Sequence, residues 1–344
     1  MPNYRPLKKI RDKEEQLRTI DKILLLHSQL DKEIPEKTAT ETLLLATWNI
    51  REFGDNRRIE SLYYIAEIIS RFDLIAIQEV SANLKGLEKV VRLLGQNWDY
   101  IVTDSTDGTA GGGERTAFVY DKDKIFFCKQ AGEIVLPGNK LIQEQHQFAR
   151  TPFCVAFQAG WFKFHLVTVH IYYGKSSGVD PRRVAEIGGI AKFLTNRAKK
   201  EDTNYILLGD FNIPKCGDEM MQALEKNGFS IPACIKKHPS DLGETKHYDQ
   251  IAFNLKLDKD MVVFSEKDQK AGAFNFTKSV YTPGDLSIYR KYFDKKNTDG
   301  KKEKEIEKYY LSKWRTFQMS DHLPLWVELK IDFSNQYLER MKIG

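Results

Sequence analysis

Apolar positions recur first at three- and four-residue spacing and then, further along the chain, in short unbroken runs. Leu17, Ile20, Ile23, Leu24, His27 and Leu30 share one face of a helix expected over residues 10–33. Pro35 and the polar stretch EKTATET end it. Residues 1–40 are therefore expected to be a helical arm, packed on the body or used for association. Beyond it, apolar runs alternate with amphipathic stretches, the pattern of an α/β sandwich. Strands are expected at 43–48, 74–78, 100–103, 116–120, 125–127, 205–208, 250–253 and 325–331, and helices at 59–70, 87–94, 182–197 and 219–226. Residues 153–158 and 162–170 read as a hairpin turning at Ala159-Gly160. The tract TDGTAGGGER, with four Gly, is expected to be a flexible loop. Residues 256–315 are too many for a simple connection and should be partly helical. The division expected is an arm (1–40), one domain (41–333) and a tail (334–344).

Composition narrows the class without naming it. With 344 residues, 41% hydrophobic and 29% charged, the chain can bury a sizeable core, and disordered or coiled-coil architectures are excluded. The longest aliphatic runs, 23–26 and 43–46, are far short of the roughly 18 residues that span a bilayer. The basic N-terminus is followed by no apolar segment, so no cleaved secretory signal is expected. Cys128, Cys154, Cys216 and Cys234 form no C-x-x-C pair, which fits neither a disulfide scaffold nor a zinc ribbon. Reduced thiols and a cytoplasmic location are the expectation. Net charge is +5, and residues 256–315 hold 15 Lys/Arg against 10 Asp/Glu. A basic late segment on a nearly neutral body suits a polyanion approaching from one side.

The informative polar residues end the apolar strands, where α/β proteins place their ligands. Asn49 follows LLLATW, Glu79 follows DLIAIQ, His170 follows FHLVTV, Asp210 and Asn212 follow YILLG, Asp249 opens DQIAF, and Asp321-His322 precede LPLWVEL. Carboxylates and imidazoles gathered in a cleft cost free energy unless metal, substrate or one another satisfy them. Oxygen ligands such as Glu79 suit a hard divalent ion. Two His without a nucleophilic Ser or Cys motif indicate general acid–base hydrolysis. Asp249 could orient one imidazole and stabilise its charged form. Asn49 and Asn212 could donate hydrogen bonds to a developing phosphorane. Together these residue types read as phosphoester hydrolysis.

The ordered set WN (48–49), QE (78–79), TVH (168–170), GDFN (209–212), YDQI (248–251) and SDHLP (320–324) resembles the endonuclease/exonuclease/phosphatase superfamily. The resemblance runs from about Leu43 to Ile331. It implies a deoxyribonuclease I-like four-layered α/β sandwich, two mixed β-sheets facing each other with helices outside. It further implies Glu79 as the principal Mg²⁺ ligand, with Mn²⁺ or Ca²⁺ as substitutes, and Asn49 beside it. His322 with Asp249 matches the family's general base, and His170 is the second imidazole, a general acid or phosphate-stabilising donor. Asp210 would orient nucleophile or leaving group, Asn212 would hold a phosphoryl oxygen, and Asp321 would be a second metal-site carboxylate.

Residues beside this set indicate a branch. FARTPFCVAF resembles the pancreatic-type deoxyribonucleases, which implies that Arg150 contacts a backbone phosphate, a task suited to a guanidinium. The expectation is a Mg²⁺-dependent endonuclease acting on nucleic acid, DNA above RNA, of an intracellular bacterial type. The alternative is a phosphatase or a sphingomyelinase-like phosphodiesterase of lipids or small molecules. Arg51, Arg57, Arg58 and Lys85 are candidate groove contacts. Tyr281, Tyr289, Tyr292, Phe293, Tyr309, Tyr310 and Trp314 could stack on bases or form the core of a subdomain. The arm or the basic insertion could also meet a protein partner.

Overall fold

The computed structural model describes residues 2–106, 112–143, 146–174, 178–256 and 270–342. Much of the TDGTAGGGER tract and the start of the basic segment lie outside the described residues. Strands β1 (Thr42–Phe53), β2 (Leu74–Val80), β3 (Trp98–Val102), β4 (Arg115–Asp121), β10 (Ala271–Ala273) and β11 (Leu325–Lys330) form a six-stranded mixed sheet, in the order β10-β11-β1-β2-β4-β3. Strands β5 (Ile125–Glu133), β6 (Phe153–Ala159), β7 (Phe162–His170), β8 (Tyr205–Asp210) and β9 (Asp249–Asn254) form a five-stranded sheet in chain order. Each sheet holds one parallel pair, β1 with β2 and β7 with β8, among antiparallel ones.

Period-two alternation explains how the layers meet. Leu43 and Leu45 of β1, with Leu74 and Ala76 of β2, pack inward against Phe157, Leu166 and Leu208 of the second sheet. Leu44, Ala46 and Trp48, with Ile75 and Ile77, pack outward under helices α2 (Ile59–Ser70) and α3 (Lys85–Leu94). Helix α4 (Pro181–Glu201) covers the second sheet through Ile187, Ile190 and Leu194, with α5 (Glu219–Lys226) beside it. The four-layered sandwich with two mixed sheets is therefore present.

One layer beneath the rim, the apolar interior is broken by a hydrogen-bonded triad. Gln78 on β2 donates from Nε2 to Thr168 Oγ1 on β7 at 2.8 Å, and it exchanges contacts with Thr47 on β1 at 3.1 and 3.3 Å. All three residues are fully buried, and they sit one or two positions before Glu79, His170 and Asn49.

The N-terminal helix α1 (Lys13–Glu33) begins at an Asp12 cap that accepts from the Glu14 and Glu15 N–H groups. Its packed face differs from the expected stripe. Leu17 and Leu24 are 50% and 57% exposed, and Ile20 is also on the solvent side, whereas Thr19, Ile23, Leu26 and Leu30 are buried. Polar ties set this rotation. Arg18 pairs with the buried Glu60 and His27 with Glu67, both on α2, while Lys22 pairs with Asp285 and Gln29 donates to the Asn275 carbonyl, both in the inserted segment. The helix thus bridges α2 and the insertion.

The basic segment contributes edge strand β10, several single turns and a helical run over residues 303–318, with a π turn at Tyr310–Trp314. Its aromatics form a core. Tyr281, Tyr289, Phe293, Tyr310 and Trp314 are buried, with centroid separations such as 4.9 Å (Tyr281–Tyr289) and 5.1 Å (Tyr289–Trp314). Those five are unavailable to stack on bases. Residues expected as a tail contain a helix, Ser334–Met341. The four cysteines are free thiols, and among the described residues no helix is long and apolar enough to cross a membrane.

The rotation of α1 makes a contrast. Leu26→Ala should cost about 3 kcal/mol in urea unfolding, and Leu24→Ala no more than about 0.5 kcal/mol. Equal costs would place the packed face on the other stripe.

Candidate active site

Sheet register brings three expected residues into one row. His170 ends β7, Asp210 ends β8 and Asp249 opens β9, and the three are Cα neighbours across these strands. Cross-strand partners share a face, so the side chains emerge side by side. In the opposite sheet Asn49 pairs with Gln78 on the inner face. Strict alternation would turn Glu79, the next residue, away. Instead its φ is +58° and the β2–β4 ladder shifts between Ile77 and Val80, a bulge that re-aims the carboxylate. Glu79 Oε2 accepts from the Glu52 N–H at 2.8 Å, which helps hold this conformation. Asn49 Nδ2 then donates to Glu79 Oε1 at 2.9 Å and to Asp210 Oδ2 at 3.1 Å, joining the two sheets across the cleft.

Asp210 is the hub. Its Oδ1 accepts from the Asn212 N–H at 2.8 Å. Its Oδ2 lies 3.5 Å from His170 Nε2 and 3.9 Å from His322 Nε2. Asn212, at φ +53°, spends one amide proton on the Ile171 carbonyl at 2.9 Å.

His322 lies just before β11 and is held on three sides. Trp48 Nε1 donates to its carbonyl at 2.9 Å. Its N–H donates to Ser320 Oγ at 3.0 Å, and that hydroxyl donates to the Asn49 carbonyl at 2.6 Å. Its Nδ1 lies 2.7 Å from Asp249 Oδ2, which also accepts from Ser240 Oγ at 2.7 Å. A carboxylate at Nδ1 keeps that nitrogen protonated and leaves Nε2 to exchange a proton.

Burial would lower the pKa of both imidazoles, but neighbouring carboxylates outweigh it. Asp249 and Asp210 lift His322 well above its ordinary 6.5, and Glu114 with Asp210 lifts His170. Burial acts to raise Glu79, yet the charge of His170 and the hydrogen bonds from Glu52 and Asn49 bring it below the usual value.

Glu114 is the functional candidate that sequence reasoning missed. It precedes β4, which runs antiparallel to β2, so it returns to the rim beside Glu79. His170 Nδ1 lies 2.6 Å from Glu114 Oε1, and Arg150 Nε makes a close contact with the same oxygen. These are charge contacts, because none of the three atoms has a well-aligned hydrogen-bond partner. Arg150 is thereby brought to the site.

Among the described residues, two clusters could hold an ion: Glu79, Glu114 and His170, and Asp210, Asp249 and His322, with ligand atoms in each within 4.8 Å of one another. The first fits a hard divalent cation better. Both offer two carboxylates, but beside the first Asn49 Oδ1 is buried with no hydrogen-bond partner. In the second cluster the Asp249–His322 hydrogen bond already engages Nδ1. Asp321 belongs to neither cluster. Its side chain is 47% exposed and lies 3.5 Å from Arg51 Nη1.

The expected groove arginines are largely consumed by the fold. Arg57 is buried, donating to the Phe317 and Arg51 carbonyls. Arg58 pairs with Glu60 and Glu15. Lys85 is exposed.

Comparison with known proteins places this rim in a class. Residues 46–283 match the model of the endonuclease/exonuclease/phosphatase family, and the chain belongs to that family, whose members are hydrolytic, divalent-metal-dependent phosphoesterases. The match stops short of Ser320–His322, which the fold nevertheless carries into the site. The chain is similar to the deoxyribonuclease of Thioalkalivibrio sp. (strain K90mix), with 31% identity over 186 residues covering 51% of this chain and 48% of that protein. It is also similar to bovine deoxyribonuclease-1, with 27% identity over 191 residues covering 50% of this chain and 61% of the relative. The chain thus spans about half to three fifths of the length of these relatives. Among solved structures, a Bacteroides thetaiotaomicron endonuclease/exonuclease/phosphatase family protein aligns at TM-score 0.55 and 16% identity, covering 85% of this chain and all but 1% of that one (99%). The human Nocturnin catalytic domain aligns at 0.52 and 13% identity, covering 84% and 94%. At these identities the structural likeness carries the fold alone.

The electrostatics of His322 can be checked directly. In an NMR titration its imidazole should lose its proton well above pH 6.5, and Asp249→Asn should move that titration downward, since removing the anion removes what favours the cation. An unchanged midpoint would show that the Asp249 carboxylate does not control this imidazole.

Proposed function

We propose that the chain is a Mg²⁺-dependent phosphodiesterase that cuts nucleic acid, DNA above RNA, in the manner of a deoxyribonuclease I-like endonuclease. The observation that carries this reading is a pair of imidazoles flanking Asp210 Oδ2, at 3.5 and 3.9 Å, next to a carboxylate pair suited to a hard cation. Asp210 orients the attacking water between them. His322 Nε2 in its neutral form takes the water's proton, and Asp249 stabilises the imidazolium that results. His170 Nε2, on the other side of Asp210, gives a proton to the departing oxygen. The second amide proton of Asn212 and the guanidinium of Arg150 face the phosphoryl oxygens, where planar donors match phosphate. A divalent ion held by Glu79 and Glu114 with Asn49 would neutralise developing phosphoryl charge. The choice of DNA rests on Arg150 and on relatives named as deoxyribonucleases at 26–31% identity.

Purified protein should nick supercoiled plasmid with Mg²⁺ and stop when EDTA is added. His322→Ala should lower turnover by on the order of 10²-fold or more with the Mg²⁺ requirement unchanged, whereas Glu79→Ala should chiefly raise the Mg²⁺ concentration needed. A near wild-type rate for His322→Ala removes the general-base role. Release of phosphate or phosphocholine from small esters, with DNA, abasic DNA and RNA untouched, favours a small-molecule or lipid phosphodiesterase instead.

A further inference from the structure

Beside Glu79 and Glu114 lies a cleft of about 560 Å³, and Phe317 is the only aromatic among its described wall residues. Phe317 comes from the last turn of the helical run that closes the insertion, beyond the family-matched residues. Its neighbours Thr316 and Gln318 are buried, but Phe317 is 37% exposed. That exposure is built. The buried Arg57 guanidinium holds the Phe317 carbonyl and ties it to the carbonyl of Arg51 at the end of β1, and Gln318 Oε1 accepts from the Arg58 N–H at 2.9 Å. Burying a guanidinium is costly, and here it fixes the backbone of a solvent-facing aromatic. Arg51 covers part of the ring, its guanidinium carbon 4.0 Å from the centroid, and is pinned by Thr316 Oγ1 at 2.8 Å and Asp321.

We propose that Phe317 is a specificity-determining residue, a platform on which an unpaired nucleobase stacks beside the scissile phosphate, with Arg51 behind it as a fixed cation. A rigid aromatic with a guanidinium at its back offers the π surface and positive charge that single strands bind. Bases inside a duplex have both faces occupied by neighbours, so the platform favours single-stranded or extruded nucleotides over continuous duplex. The inference rests on the nuclease reading above and adds a substrate preference to it.

The test uses the full chain with Mg²⁺ and a fluorescent single-stranded oligonucleotide, alongside the same strand carrying tetrahydrofuran, a sugar without a base, next to the cleaved bond. Phe317→Leu keeps an apolar side chain but removes the π face, and should raise KM on the ordinary strand about tenfold with kcat unchanged. Wild-type enzyme should lose the same factor when the base is removed, whereas Phe317→Leu should not respond to that removal. Phe317→Trp should restore the wild-type KM, and matching melting curves should show all three proteins folded. Phe317→Leu cleaving the ordinary strand with wild-type KM, or responding to base removal as wild type does, overturns the platform and leaves the nuclease reading intact. Wild-type enzyme that cleaves no strand while hydrolysing small phosphoesters overturns both.

Discussion

The site depends on one buried amide. Gln78 spans the gap between the sheets to Thr168 and holds Thr47 on its own sheet, in an interior otherwise filled with aliphatic and aromatic side chains. An unpaired amide there would cost about 1–3 kcal/mol, so the sheets must stand at the separation and shear that complete the triad. Its members lie just beneath Glu79, His170 and Asn49. The same contact that satisfies Gln78 therefore sets how far the carboxylate side of the rim stands from the imidazole side. Asn49 repeats the connection above it, reaching Glu79 on one sheet and Asp210 on the other.

Around this tie, each sheet contributes a different set of groups. The five-stranded sheet supplies the row of His170, Asp210 and Asp249 by register alone. The six-stranded sheet supplies the carboxylates of Glu79 and Glu114, and it does so by departing from regular geometry at Glu79 and by folding the start of β4 back beside it. His322 belongs to the six-stranded sheet by sequence, but its ring joins the row on the five-stranded one. Ser320, Trp48 and Asp249 hold its backbone and ring from both sides.

Much of this arrangement was legible in the chain. Apolar runs that stop at a polar residue mark strand ends, and sheet register makes strand ends converge. That logic finds Asn49, Glu79, His170, Asp210, Asp249 and His322, which the fold brings to one rim. It misses Glu114, whose place follows from an antiparallel return through a glycine-rich tract rather than from any strand before it. It also picks Asp321 along with His322, although one residue of separation directs the first toward Arg51 and solvent and the second into the cleft. The face of α1 was misread because ionic and amide contacts, not apolar periodicity, choose its rotation. Arg57 and Arg58 read as groove contacts, but backbone carbonyls and Glu60 claim them inside the fold.

The helical run at residues 303–318 ends two positions before Ser320, and Ser320 anchors His322. The His322 imidazole is therefore the next ordered feature after the least regular part of the fold, a stack of aromatic rings wrapped by single turns and a π turn. These rings share one apolar layer with Trp48, whose indole N–H holds the His322 carbonyl. Loosening the stack would therefore loosen the backbone that presents the imidazole, so the insertion is part of the wall of the site and not a separate appendage.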